Sequence, residues 1–159
     1  MWKDGIKAVV PVWRGDVWGD GLAEATKTRF DSLGGTVLDG VRYDPKTDFL
    51  SELDTLGSKV SQAVSKYGKN KVAVHFIGFN EVVTVFTRSQ NNSISEVKWY
   101  GSDGTAFNDD LLKNREASSF AVKTGFVNPF YSIEIKDTEE RIKEKDGVFT
   151  WEHTAKIPN

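Results

Sequence analysis

Short apolar runs alternate with stretches of helical periodicity along almost the whole sequence, and that alternation leaves few folds open. Residues 6–13 (IKAVVPVW) form a near-continuous apolar run, the pattern of a strand buried on both faces. Leu22, Thr26, Arg29/Phe30 and Leu33 then recur at helical spacing until Gly34-Gly35 stops the helix. Residues 36–43 (TVLDGVRY) read as a second strand. Asp48 is placed to cap a helix whose apolar stripe runs through Phe49, Leu53, Leu56, Val60, Ala63, Val64 and Tyr67 to Gly68. Residues 71–77 (KVAVHFI) supply a third strand, and Asn80 is placed to cap a helix through Val82, Val83 and Phe86. A fourth strand begins at Ile94 and ends at Gly101-Ser102-Asp103-Gly104. Helical segments at 105–112 and 116–124, broken near Asn114, precede a fifth strand at 126–135. Five strands interleaved with helices predict an α/β fold: a doubly wound, mainly parallel sheet in the order 2-1-3-4-5 with right-handed crossovers. Pro11 and Pro129 each remove a ladder donor, which suits a bend or an edge better than a central strand.

The tail differs. Residues 137–146 (DTEERIKEKD) are nearly all charged and read as a solvated turn or short helix. Residues 148–157 alternate, with Phe149, Trp151, His153, Ala155 and Ile157 on one face, as in a strand added antiparallel to a sheet edge. The organisation expected is one lobe over 1–135, with a charged connector and C-terminal strand over 136–159 packed on the same domain. A chain of 159 residues is long enough for one sizeable core.

In a sheet of that order the loops after strands one, three and four (15–19, 78–81 and 101–105) meet at the switch point, where α/β sheets bind ligands. They bring Trp18, Phe79, Asn80, Ser102 and Asp103 to one crevice. Glycines on both sides of Ser102-Asp103 allow the tight backbone needed to aim the carboxyl group inward. A carboxylate beside two aromatic rings suits an ammonium, and helix N-termini add N–H donors for a polar substituent. An amino acid or similar small polar metabolite fits that set.

Other chemistries find less to work with. The net charge of -2 gives no electrostatic reason to expect nucleic acid as a partner. Cysteine is absent and only His75 and His153 are present, so thiolate catalysis, Cys-based metal sites and His-rich ligand sets are disfavoured. Neither a metal nor an organic cofactor is expected, and a non-enzymatic role is. Asp16, Asp20 and Asp103 could form an acid–base pair, but no nucleophile with a base stands near them. Gly19-Asp20-Gly21 begins a dinucleotide fingerprint that Glu24 breaks. The pairs Asp109-Asp110 and Glu139-Glu140 read as solvated faces. No apolar run approaches the ~18 residues of a membrane span, and the first residues carry no signal-peptide pattern.

The segments GIKAVVPVWRGDVWGDGL, LGGTVLDGVRYDPKTDF, VAVHFIGFNEV and VKWYGSDGTA, spread over residues 5–131, resemble the second (C-terminal) lobe of type I periplasmic substrate-binding proteins of branched-chain amino-acid ABC transporters. The resemblance implies a two-lobed flytrap with ligand at the strand carboxyl ends. In it, the family's aromatic residues fall on Trp18 and Phe79, both lacking the tyrosine hydroxyl, and its ammonium-binding acid falls on Asp103. It further implies a periplasmic or cell-surface parent protein and a permease partner. The first lobe has no counterpart in this sequence, and the roughly 15 residues between Ser132 and Val148 are too few to supply one. A lone lobe with an exposed closure face is also a candidate homodimer. Two rival readings of the same fold are a ligand-sensing lobe of a regulator or receptor ectodomain, and a small α/β enzyme or nucleotide-binding domain.

Overall fold

The computed structural model describes residues 1–90, 93–130 and 138–155. Its elements are β1 (Ala8–Arg14), α1 (Val17–Ser32), β2 (Thr36–Val37), β3 (Val41–Tyr43), α2 (Leu50–Tyr67), β4 (Val72–Ile77), α3 (Glu81–Arg88), β5 (Lys98–Tyr100), α4 (Asp109–Lys113), α5 (Arg115–Thr124), β6 (Val127–Phe130), β7 (Thr138–Lys145) and β8 (Val148–Ala155). They form one sheet in the order β2-β1-β4-β5-β6-β7-β8, with β3 also paired to β1. Pairings up to β6 are parallel, and β6–β7 and β7–β8 are antiparallel.

The expected 2-1-3-4-5 order is therefore present, with the second strand split into β2 and β3. The split explains how Pro11 survives at the centre of β1. Val9 O accepts from Leu38 N at 2.9 Å, so the same edge of β1 two residues on is where Pro11 lacks its N–H. Opposite it stands Gly40, so close that an added Cβ would lie 1.8 Å from Pro11 O. The ladder is interrupted where no donor exists to extend it.

The two sheet faces are covered unequally. Leu53, Leu56, Val60 and Ala63 of α2, Val82, Val85 and Phe86 of α3, and Ala117, Phe120 and Ala121 of α5 pack on Val10, Val74, Phe76 and Trp99 in the larger core. Phe86, Trp99, Phe120 and Phe126 meet there at ring separations of 4.6–5.3 Å. The opposite face has a smaller core of Ile6, Val9, Phe30, Ala73, Tyr100 and Val127. Helix α1 buries only Gly19 and Phe30, so it roofs this face sparsely.

Several local expectations are corrected. Helix α1 starts at Val17, not Leu22, because Asp16 caps it by accepting from Gly19 N at 2.8 Å. Phe49, not Asp48, holds the cap position of α2, at φ 65; burying its ring against Tyr43 twists the backbone left-handed, and Asp48 instead accepts from Leu50 N at 3.1 Å. Residues 93–96 form a 3₁₀ turn and not the start of the fourth strand: Trp99 Nε1 donates to Ile94 O at 2.8 Å and folds it back.

The largest correction is the charged tail. Residues 138–145 are strand β7, paired to β6 on one side and β8 on the other. Alternation puts Glu140 and Ile142 inward, while the charged Lys143 and Lys145 stay exposed. Strand β8 carries Phe149 and Trp151 against the larger core, as its alternation predicts. The fifth strand is described only as far as Phe130, so its expected continuation to 135, like Ile157, lies outside the described residues.

Candidate functional site

The carboxyl ends of β1, β4 and β5 lie side by side in the sheet, so the turns that follow them share one rim. Trp18 occupies the first turn of α1, fixed by the Asp16 cap and by Gly19, whose added Cβ would stand 2.0 Å from Arg14 O. Phe79 follows β4. Its ring stacks on Trp18 with centroids 4.6 Å apart and planes 21° from parallel. Gly104 also presses on this phenylalanine, where a Cβ would meet Gly78 O at 2.5 Å and Phe79 Cδ1 at 2.9 Å. Asp103 is the exposed neighbour of Gly104, at the start of the 3₁₀ turn Asp103–Thr105. Trp18 and Phe79 thus touch at one edge, and Asp103 is carried to the same edge by its neighbour Gly104.

Their arrangement differs from facing walls. The two rings are in direct contact, which leaves no gap between them for a ligand group. Phe79 keeps 41% of its surface exposed. The Arg14 guanidinium lies 5.3 Å from the Phe79 ring centroid, held by Asp16 and Glu81. Asn80 holds the cap position of α3, as expected, but its side chain makes no cap hydrogen bond. Its Oδ1 accepts from Asn108 Nδ2 at 3.1 Å, and Glu81 turns back to accept from Phe79 N at 2.9 Å. Asp20 is clasped by Arg42 at 2.8 and 2.9 Å and by Trp13 Nε1 at 2.9 Å. The Arg42 hydrogen bonds, then that of Trp13, hold its carboxyl down to about 2. Asp16 and Asp20 are therefore committed to guanidinium groups in place of the acid–base role the sequence allowed.

Behind Asp103 a cleft of about 430 Å³ opens on the sparsely roofed face of the sheet. Leu22, Tyr100, Val127 and Pro129 supply its apolar walls, and His75, Ser102, Asp103 and Glu139 its polar groups. His75 and Ser102 are only 6% and 2% exposed, yet neither His75 Nδ1 nor Ser102 Oγ has a hydrogen-bond partner. Leaving such groups unpaired costs roughly 1–3 kcal/mol each. Burial pushes the His75 imidazole down to about 4, against a smaller opposing pull from the Gly101 backbone, so it is neutral near pH 7.

The rim is held by a buried polar network that the sequence reading missed. Thr105 Oγ1 lies 2.8 Å from Ser102 O and 2.6 Å from Asn128 Oδ1. Asn128 Nδ2 donates to Thr105 O at 3.3 Å and to Glu140 Oε1 at 3.1 Å. Phe107 N donates to the same carboxyl group at 2.8 Å, and His153 Nε2 lies 3.3 Å from its other oxygen. Glu140, expected on a solvated face, is 0% exposed. Asp109 and Asp110 do lie exposed, in the first turn of α4. Among the described residues no His/Cys/Asp/Glu cluster could hold a metal, and no helix is long and apolar enough to cross a membrane.

No family model matches the sequence. The chain is 35% identical over 144 residues to the uncharacterized protein MJ1266 of Methanocaldococcus jannaschii, a match covering 89% of this chain and 32% of that protein. Among solved structures it is similar to Rp1789 of Rhodopseudomonas palustris (TM-score 0.54, 17% identity, 81% of this chain and 32% of that one). It is also similar to a fatty acid ABC transporter substrate-binding protein from Thermomonospora curvata (TM-score 0.53, 16% identity, 79% of this chain and 29% of that one). The chain thus spans about a third of the length of these proteins. The doubly wound α/β fold is one that this chain shares with part of each of those two structures.

Proposed function

We propose that this chain is a solute-recognition lobe of an ABC-transporter substrate-binding protein. It binds an amino acid or a similar small, amine-bearing metabolite at the carboxyl ends of β1, β4 and β5. One observation carries the reading: three turns distant in sequence converge at one rim, where Gly104 lies against the Trp18–Phe79 stack and its exposed neighbour Asp103 lines a cleft. Asp103 pairs with the ligand ammonium, Phe79 backed by Trp18 offers a ring face, and Ser102 contributes a hydroxyl. Asn80 braces the rim through Asn108. A first lobe closes over the ligand in the parent protein, which delivers it to a permease at the periplasmic or outer cell surface. The role is recognition and not catalysis.

Because Asp103 is exposed, its pairing with a cation in this lobe alone is worth about 1 kcal/mol or less. Calorimetric titration with the common amino acids and with simple alkylamines is expected to give weak binding that Asp103→Asn reduces about fivefold. Equal affinity in the wild type and the variant for every amine that binds would refute the assignment.

A further inference from the structure

Among the described residues only three buried side-chain polar atoms lack a hydrogen-bond partner, and two of them line the same cleft: His75 Nδ1 and Ser102 Oγ. Their closeness follows from register. His75 pairs with Tyr100 across β4–β5, and Ser102 lies two residues beyond Tyr100 in extended backbone at φ -107, ψ 174. The alternation of an extended chain places His75, Tyr100 and Ser102 on one face. That face is the one α1 leaves open. The cleft of about 430 Å³ is within the size range of small-molecule sites and has their usual make-up, apolar walls with a few convergent polar groups.

The two unpartnered atoms select the occupant. The charges around them are of both signs: Asp103 and Glu139 are carboxyl groups of the lining, Arg141 reaches Glu139 at 3.4 Å, and Met1, whose ammonium pairs with Asp4 at 3.3 Å, also lines the cleft. His75 Nδ1 and Ser102 Oγ are themselves uncharged, so a carboxylate or phosphate head group would exchange its water for neutral partners, at greater cost than a neutral group. A neutral group able both to donate and to accept matches an imidazole nitrogen and a hydroxyl side by side. Leu22, Val127, Pro129 and the Tyr100 ring then enclose an alkyl body.

We propose that this cleft is a second subsite, opening off the rim at Ser102, that receives a neutral carboxamide or alcohol head group on a short alkyl chain, paired with Ser102 Oγ and His75 Nδ1. It deepens the recognition reading above and rests on it only for the route of entry past Asp103. The solutes it predicts carry an amine at one end and an amide or hydroxyl at the other.

The test is an NMR titration of the ¹⁵N-labelled chain with pentanamide, a probe that carries no charge, against its anionic counterpart pentanoate. Pentanamide is expected to saturate in the millimolar range, moving the Ser102 amide and the His75 ring nitrogens, and to bind at least fivefold more tightly than pentanoate. Ser102→Ala is expected to weaken it about fivefold. Leu22→Trp, a change on the partly exposed side of α1, is expected to abolish binding by filling the cleft even if Ser102→Ala does not fold. Pentanamide binding that persists while amines fail to bind would sink the ammonium reading and leave the subsite standing. Pentanamide shifts scattered over the surface, or unaltered by Leu22→Trp, would overturn the subsite itself.

Discussion

His75 gives the sharpest physical prediction, because its burial has a consequence measurable without any ligand. The side chain sits in mid-strand between Pro11 and Tyr100, and burial lowers its imidazole from 6.5 to about 4. The unfolded chain therefore takes up a proton at His75 that the folded chain refuses across this interval. The associated stability is present in full above about pH 6.5 and is lost as pH falls toward 4. At about pH 4.5 almost every unfolded imidazole is charged and most folded ones are not, a difference of roughly 2.5 kcal/mol. That is a large part of a typical domain's stability. Urea unfolding at about pH 7 and pH 4.5 measures the total acid loss, to which carboxyl groups also contribute. The same pair of measurements on His75→Gln removes the imidazole alone. The variant is expected to start less stable, since it too buries a polar group, but to lose about 2.5 kcal/mol less on acidification. A ring titrating near 6.5 by NMR, or equal acid losses in the two proteins, would refute the account of a buried, neutral histidine.

Two further outcomes test the rim. Gly104→Ala forces a methyl group to within 2.5 Å of Gly78 O and 2.9 Å of Phe79 Cδ1. It is expected to cost about 1–3 kcal/mol in thermal unfolding and to alter tryptophan fluorescence through the Trp18–Phe79 stack; unchanged stability and emission would show that the contact is loose. Asn128→Ala strips partners from Thr105 and Glu140 at once and is expected to cost roughly 2–3 kcal/mol, read as a lowered urea midpoint, with a negligible change counting against the network.

The order of the parallel strands was legible because both its signals are local: apolar runs such as 72–77 and stripes such as Leu53-Leu56-Val60. The rim followed from that order, since winding alone brings residues 18, 79 and 103 together. What stayed hidden depended on partners distant in sequence. Strand β7 is disguised because the residues it exposes are charged, as expected of strands near a sheet edge, and its inward Glu140 is met by Asn128, Phe107 and His153, which no local pattern connects to it. His75 was invisible for another reason. Every residue of β4 is buried, so nothing in VAVHFI marks which face looks into a core and which into a cleft. The ring–ring contact likewise depends on a distance of a few ångströms that no spacing encodes.

Glu140 fastens the C-terminal ribbon to the turn after Asp103 through the Phe107 backbone and to β6 through Asn128. The tail is thus a brace for the rim, 33 residues removed along the chain but in direct touch through one carboxyl group. Whatever pulls on the hairpin pulls on the mouth of the cleft, so contacts made far from the ligand have a mechanical line to the residues proposed to hold it.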